Sequence, residues 1–129
     1  MLPRLRQPHD TLRPVTHYDW SSAPREALSE KLTRQVFHTE LMTIARLEVK
    51  KGGVVPVHWH ENEQVSMVLE GRLKFLLNDG DVIVGPGQTL VLPSMAPHGV
   101  EVLEDTVVVD VFTPRREDWL RGEDAYLRK

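Results

Sequence analysis

The chain contains no cysteine, and that absence removes thiolate catalysis, Cys-ligated zinc, iron–sulfur clusters and disulfides together. A transition metal would have to be held by His, carboxylate or amide ligands. Long apolar runs are missing too, none exceeding three residues, so nothing reads as a spanning helix or as the apolar core of a secretory signal. Nor is there a surplus of one charge: 16 Lys and Arg stand against 19 Asp and Glu, a net charge of −3. A general nucleic-acid or anionic-membrane binder would carry a basic excess, so neither partner is expected. What remains is 129 residues with 40% hydrophobic positions, the size of one compact domain, and a cysteine-free composition that suits a cytoplasmic protein.

Proline is unevenly spread. Pro3, Pro8, Pro14 and Pro24 fall among Arg, Asp, His and Ser, which predicts an extended or partly disordered arm over residues 1–31. Within it, Ala23 to Leu32 has the capping signals for one or two helical turns, with Ser22 as cap and Pro24 early in the first turn. From Leu32 the pattern changes to short β-branched and aliphatic runs separated by Gly, Pro, Asn and Asp. The spacing predicts strands near 32–37, 41–49, 54–59, 64–70, 72–77, 81–84, 88–92, 98–103 and 106–112. Many short strands with no helical period between them imply an all-β antiparallel sandwich or barrel over 32–113. Thr113-Pro114 looks like an N-cap followed by Pro at the first helical position, opening a short helix that ends near Gly122 within a C-terminal helix and tail, 114–129. Trp119 and Leu120 are expected to anchor that helix to the barrel, and Trp59, pointing away from its neighbouring His, to pack as well. Asn78-Asp79-Gly80-Asp81 reads as a hairpin turn.

Three of the six histidines carry a pattern. His58-Trp59-His60 is an H-x-H at a strand end, so both imidazoles share a face and can converge on one ion. Gln64 follows after a polar connection, and His98 arrives from a different hairpin with Pro93 and Pro97 fixing its approach. Three neutral imidazoles and an oxygen donor, with positions left for water or substrate, would make a catalytic metal site. His9, His17 and His38 have no matching spacing. Asp110 shares a strand face with Thr106, Val108 and Phe112. A carboxylate in so apolar a row is costly unless it is functional or paired, for instance with Arg46, Arg115 or Arg116.

Gly52-x5-His58-x-His60-x3-Gln64-x6-Gly71 resembles the first motif of the cupin superfamily, and Gly87-x5-Pro93-x4-His98 resembles the second. The resemblance implies a single-domain cupin, a double-stranded β-helix or jelly-roll barrel. Three positions depart from the usual pattern: Gln64 for Glu, Met95 for Gly and Val102 for Asn. A neutral amide at 64 leaves a divalent ion's charge unneutralised, which favours Lewis-acid chemistry over storage. The segment Asp110 to Leu120 is similar to the tail of a group of small cupins that includes a pectin-degradation cupin. That similarity implies His58, His60, Gln64 and His98 as ligands of one divalent metal (Ni, Zn, Mn or Fe), with Asp110 as acid/base and Arg116 as binder of a substrate carboxylate. The implied activity is a lyase or isomerase conversion of a small anionic sugar derivative, with linearisation of a 4,5-unsaturated uronate as the specific case. A dioxygenase on the same ligands and a non-enzymatic binding module are the competing classes. A homodimer is expected from the apolar face Val65, Met67 and Leu69 and an outward row Leu73, Phe75 and Leu77.

Overall fold

The computed structural model describes residues 12–128. Ten strands follow in order: β1 (Glu26–Ser29), β2 (Leu32–His38), β3 (Thr43–Val49), β4 (Val54–His58), β5 (Glu63–Glu70), β6 (Leu73–Leu77), β7 (Val82–Val84), β8 (Thr89–Leu92), β9 (His98–Val102) and β10 (Thr106–Thr113). They pair antiparallel in a six-stranded sheet, β1-β2-β3-β10-β5-β8, and a four-stranded sheet, β4-β9-β6-β7. This is the jelly-roll arrangement that the punctuated pattern implies, and every strand expected from Leu32 onward is present.

Side-chain alternation decides which face is inside. On β10, Thr106, Val108, Asp110 and Phe112 are buried while Val107, Val109 and Val111 are only half-buried. On β5 the inner row is Gln64, Ser66 and Val68, with Val65, Met67 and Leu69 facing out. Val68, Leu73, Phe75, Val84, Leu92, Val102 and Val108 form the main core; of the polar members of the two rows, Thr106 lies at the Gly71 end, while Ser66 and Asp110 stand opposite each other and Gln64 stands opposite Phe112 further along. Gly71 makes the β5–β6 turn possible: it sits at φ +87°, and a Cβ there would lie 2.2 Å from the Asp105 carbonyl oxygen.

Five local expectations are corrected. Residues 23–32 form no helix; Glu26–Ser29 is an edge strand paired with β2, because Leu28 is buried and the open sheet edge satisfies the backbone better than an isolated turn. The C-terminal helix α1 spans only Glu117–Leu120, with Arg116 at the N-cap. Thr113 cannot cap it because it ends β10, opposite Glu63. Leu73 and Phe75 face the core at 3% and 2% exposure rather than outward, since β6 lies inside the four-stranded sheet. Trp59 is 61% exposed and does not pack; it points away from His58 and His60 toward solvent. Of the helix anchors, Trp119 is buried and Leu120 is not. Residues 1–11 of the expected arm lie outside the described residues.

Candidate functional site

Strand register brings the histidines together. β4 and β9 are neighbours, and His58 stands directly opposite His98. His60 lies two residues beyond His58, so it shares that face. Ring centroids are 4.4 Å apart for His58 and His98, 5.1 Å for His60 and His98 and 5.7 Å for His58 and His60. The potential ligand atoms of the three rings lie within 4.8 Å of one another. The loop carrying His98 is stitched to this cluster by the Met95 amide, which donates to the His60 carbonyl at 2.8 Å.

Each ring is held by a backbone carbonyl. Nδ1 of His58 donates to Pro56 O (2.8 Å), Nδ1 of His60 to Asn62 O (3.0 Å) and Nδ1 of His98 to Ala96 O (2.9 Å). A carbonyl only accepts, so the ring proton sits on Nδ1 and Nε2 keeps its lone pair. Burial also keeps the rings neutral: desolvation lowers His58 below its ordinary value and takes His60 and His98 down to about 4. Three lone pairs thus face one point, and Nε2 of His98 is buried with no hydrogen-bond partner.

Gln64 completes the set. Its Nε2 donates to Ser66 Oγ at 2.9 Å, which aims Oε1 at Nε2 of His60, 3.1 Å away. With Nδ1 of His60 already donating, that contact sets acceptor against acceptor, an arrangement a cation relieves. The donor set therefore fits a divalent metal held by imidazole and amide oxygen.

A cavity of about 70 Å³, walled mostly by apolar side chains, takes in His58, Gln64, His98, Asp110, Arg116 and Tyr126, with room for several waters. Asp110 lies on β10 opposite Ser66. Its Oδ1 is buried with no partner, and desolvation raises the carboxyl to about 6, against smaller opposing effects of the Ser66 hydroxyl and the Arg116 charge. No salt bridge joins it to Arg46, Arg115 or Arg116 among the described residues. Arg116 is 2% exposed. Its backbone amide donates to Thr43 Oγ1 (2.8 Å), and its guanidinium lies 4.5 Å from the Trp119 ring centre and 4.8 Å from that of Phe112. Instead of pairing with Asp110 it clamps Asp118, Nε to Oδ1 at 2.9 Å and Nη2 to Oδ2 at 2.7 Å.

Residues without a sequence signal complete the arrangement. Asn62, 3% exposed, donates its side-chain amide to the carbonyls of Pro114 and Arg115, tying the His60 turn to the segment that carries Arg116. Tyr126, on a 3-10 turn Ala125–Leu127, sets its ring centre 4.7 Å from that of His58, tilted by 41°. Neither stood in a recognisable spacing; the strand-end position of Asn62 between His60 and Gln64 was the one available hint.

The cupin domain model Cupin_2 matches residues 45–112, more than half of the chain. The pectin degradation protein KdgF of Dickeya dadantii (strain 3937) is 27% identical over 101 residues, covering 75% of this chain and 91% of that protein. Among solved structures, KdgF from Halomonas sp. is 26% identical with a TM-score of 0.75, over 81% of this chain and 99% of its own. An RmlC-like cupin from Shewanella frigidimarina NCIMB 400, at 23% identity and TM-score 0.76 over 82% and 96% of the two chains, shares the fold. On the family match, the motif spacing and the two-sheet barrel together, the chain belongs to the cupin domain family.

Proposed function

We propose that the protein is a metal-dependent enzyme of the lyase or isomerase type, acting on a small anionic sugar derivative and specifically linearising a 4,5-unsaturated uronate. The observation that carries this reading is that a cluster of three neutral imidazoles, two of them lining the cavity, stands beside Asp110, a buried carboxyl near pKa 6 with one unpartnered oxygen in the same cavity wall. Similarity to two KdgF proteins, one of them named for pectin degradation, supports the substrate class.

His58, His60, Gln64 and His98 would hold the divalent metal, which when bound would supply Lewis-acid polarisation of a substrate oxygen. Asp110, its carboxyl raised by burial to about 6, carries a proton between a substrate oxygen and the carbon of the double bond as the ring opens to the keto acid. Its buried setting keeps bulk water from competing for that proton. Arg116 holds the substrate carboxylate, and Thr43 and the Phe112–Trp119 pair fix the position of Arg116.

Linearisation destroys the conjugated double bond, so ultraviolet absorbance of the substrate should fall faster with enzyme than without. Asp110→Asn should slow that loss by about 10²-fold or more while metal stays bound, since the amide keeps the shape and cannot transfer the proton. Unchanged absorbance with both galacturonate- and mannuronate-derived substrates would overturn the reading.

A further inference from the structure

Beyond α1 the chain turns back against β2 and β4, and its position there is strongly fixed. Asp124 is 3% exposed and meets the equally buried Arg34 at 2.8 Å, while Arg128 closes on the other side of the same carboxylate at 2.9 Å. Leu127 packs against the core cluster of Ala45, Phe112 and Trp119. These contacts deliver Tyr126 to the cavity wall. On its far side lies a wider recess of about 590 Å³, and Tyr126 and Leu127 line both spaces.

Donor accounting shows what Tyr126 offers. Its Oη accepts from Arg116 Nη2 at 2.9 Å and from Trp119 Nε1 at 3.2 Å. Both lone pairs of the phenol oxygen are thereby used, so its own proton points away from both donors, and it meets no acceptor among the described residues. Arg116 is in a complementary position. Asp118 occupies Nε and Nη2, so the fork with which arginine usually grips a carboxylate is taken. Nη1 alone makes no hydrogen bond among the described residues.

We propose that Tyr126 is a substrate-binding residue, its hydroxyl proton and the Nη1 protons of Arg116 together gripping one carboxylate of the ligand in the His58–Asp110 cavity. This rests on the reading above that the ligand is a carboxylate.

The test uses the zinc-loaded protein and D-galacturonate, a saturated uronate, as probe, with D-galactose as its uncharged counterpart. Calorimetry should show galacturonate bound more tightly than galactose, and Tyr126→Phe should weaken galacturonate about tenfold, the loss of one hydrogen bond to a charged group. Because that variant also leaves Trp119 Nε1 without its acceptor, a second measurement needs no mutation. The chain has two tyrosines, and with 13C-labelled tyrosine the Cζ signal of Tyr126 should move on adding galacturonate while that of Tyr18, stacked on Phe37, stays. A still Tyr126 signal, or equal galacturonate binding in the wild type and Tyr126→Phe, none at all included, overturns the proposal. Tyr126-dependent binding without conversion of the unsaturated uronate would leave this grip standing and remove the proposed reaction. Conversion with an unchanged KM in Tyr126→Phe would do the reverse; the grip requires KM to rise by more than kcat falls.

Discussion

At the scale of single residues, the ligand cluster sets opposite demands on its ionisable groups, and pH separates them. His60 and His98 titrate at about 4 in the fold against 6.5 for a free imidazole. Between those values the unfolded chain takes up protons that the folded metal-free chain refuses, so stability falls as pH is lowered through that window. Asp110 acts the other way: at about 6 when folded against 3.8, it favours the fold at low pH and loses that contribution as pH rises toward 6. Two histidines outweigh one carboxyl. The thermal midpoint of chelator-treated protein should therefore climb from pH 4 to 6.5, and Asp110→Asn should steepen the climb; a flat or falling midpoint would contradict the ionisation states assigned to the cluster.

Gln64 and Met95, two departures from the usual cupin pattern, make separate predictions. Gln64→Glu should tighten metal binding and lower turnover, because a carboxylate neutralises part of the ion's charge and weakens it as an acid; calorimetric metal affinity beside the absorbance assay checks both directions. Met95 holds φ at +67°, a left-handed conformation that costs a side-chain residue about 1–2 kcal/mol. It is 54% exposed, so little packing depends on it. Met95→Gly should stabilise the protein by roughly 0.5–1 kcal/mol after the entropy glycine adds to the unfolded chain is deducted, read as a higher denaturant midpoint at unchanged slope.

At the scale of elements, the sequence was informative wherever period and punctuation coincided. β3 to β10 are legible because each pairs an alternating or aliphatic run with a Gly, Pro, Asn or Asp break, whereas β2 is bounded by Glu30-Lys31 and Thr39-Glu40 and is legible from its run alone; the H-x-H spacing puts two imidazoles on one face. Edge strand β1 was not legible: Glu26–Ser29 has no alternation of its own, and what makes it a strand is the free edge of β2. The helix start was misplaced because Thr113 and Pro114 carry capping signals that pairing of β10 overrides. The partners of Arg116 were equally hidden, since Asp118, Thr43 and Tyr126 reach it from three elements. Thr43 shows how much such a tie is worth. Its Oγ1, fully buried, accepts from the Arg116 amide at 2.8 Å and lies 2.6 Å from Nδ1 of His38. Thr43→Val keeps the shape and strands a buried N–H at the N-cap of α1, so it should cost about 1–3 kcal/mol in chemical denaturation. A loss below about 0.5 kcal/mol, the size of an ordinary surface change, would mean that water takes over the bond.

At the scale of the whole molecule, the barrel leaves the outer face of its larger sheet apolar and uncovered. Val65 and Met67 are half-buried, Leu69 is 53% exposed and Val91 56% exposed, all on the outer face of β5 and its neighbour β8. On the other side of β5, Val107, Val109 and Val111 of β10 continue the same face. With Leu73 and Phe75 now placed in the core, this outer sheet face alone supports the expected homodimer. Stable association needs about 800 Å² per partner with a dry centre, and Met67 lies near the middle of the patch, paired with Val109 on one side and Thr89 on the other. Light scattering at tens of micromolar should therefore give twice the 14.8 kDa chain mass. Met67→Glu should return a folded monomer, because its side chain points outward and a charge there is solvated in the monomer but desolvated in the dimer. A wild type that already scatters as a monomer would overturn the dimer and show that this face is tolerated in water.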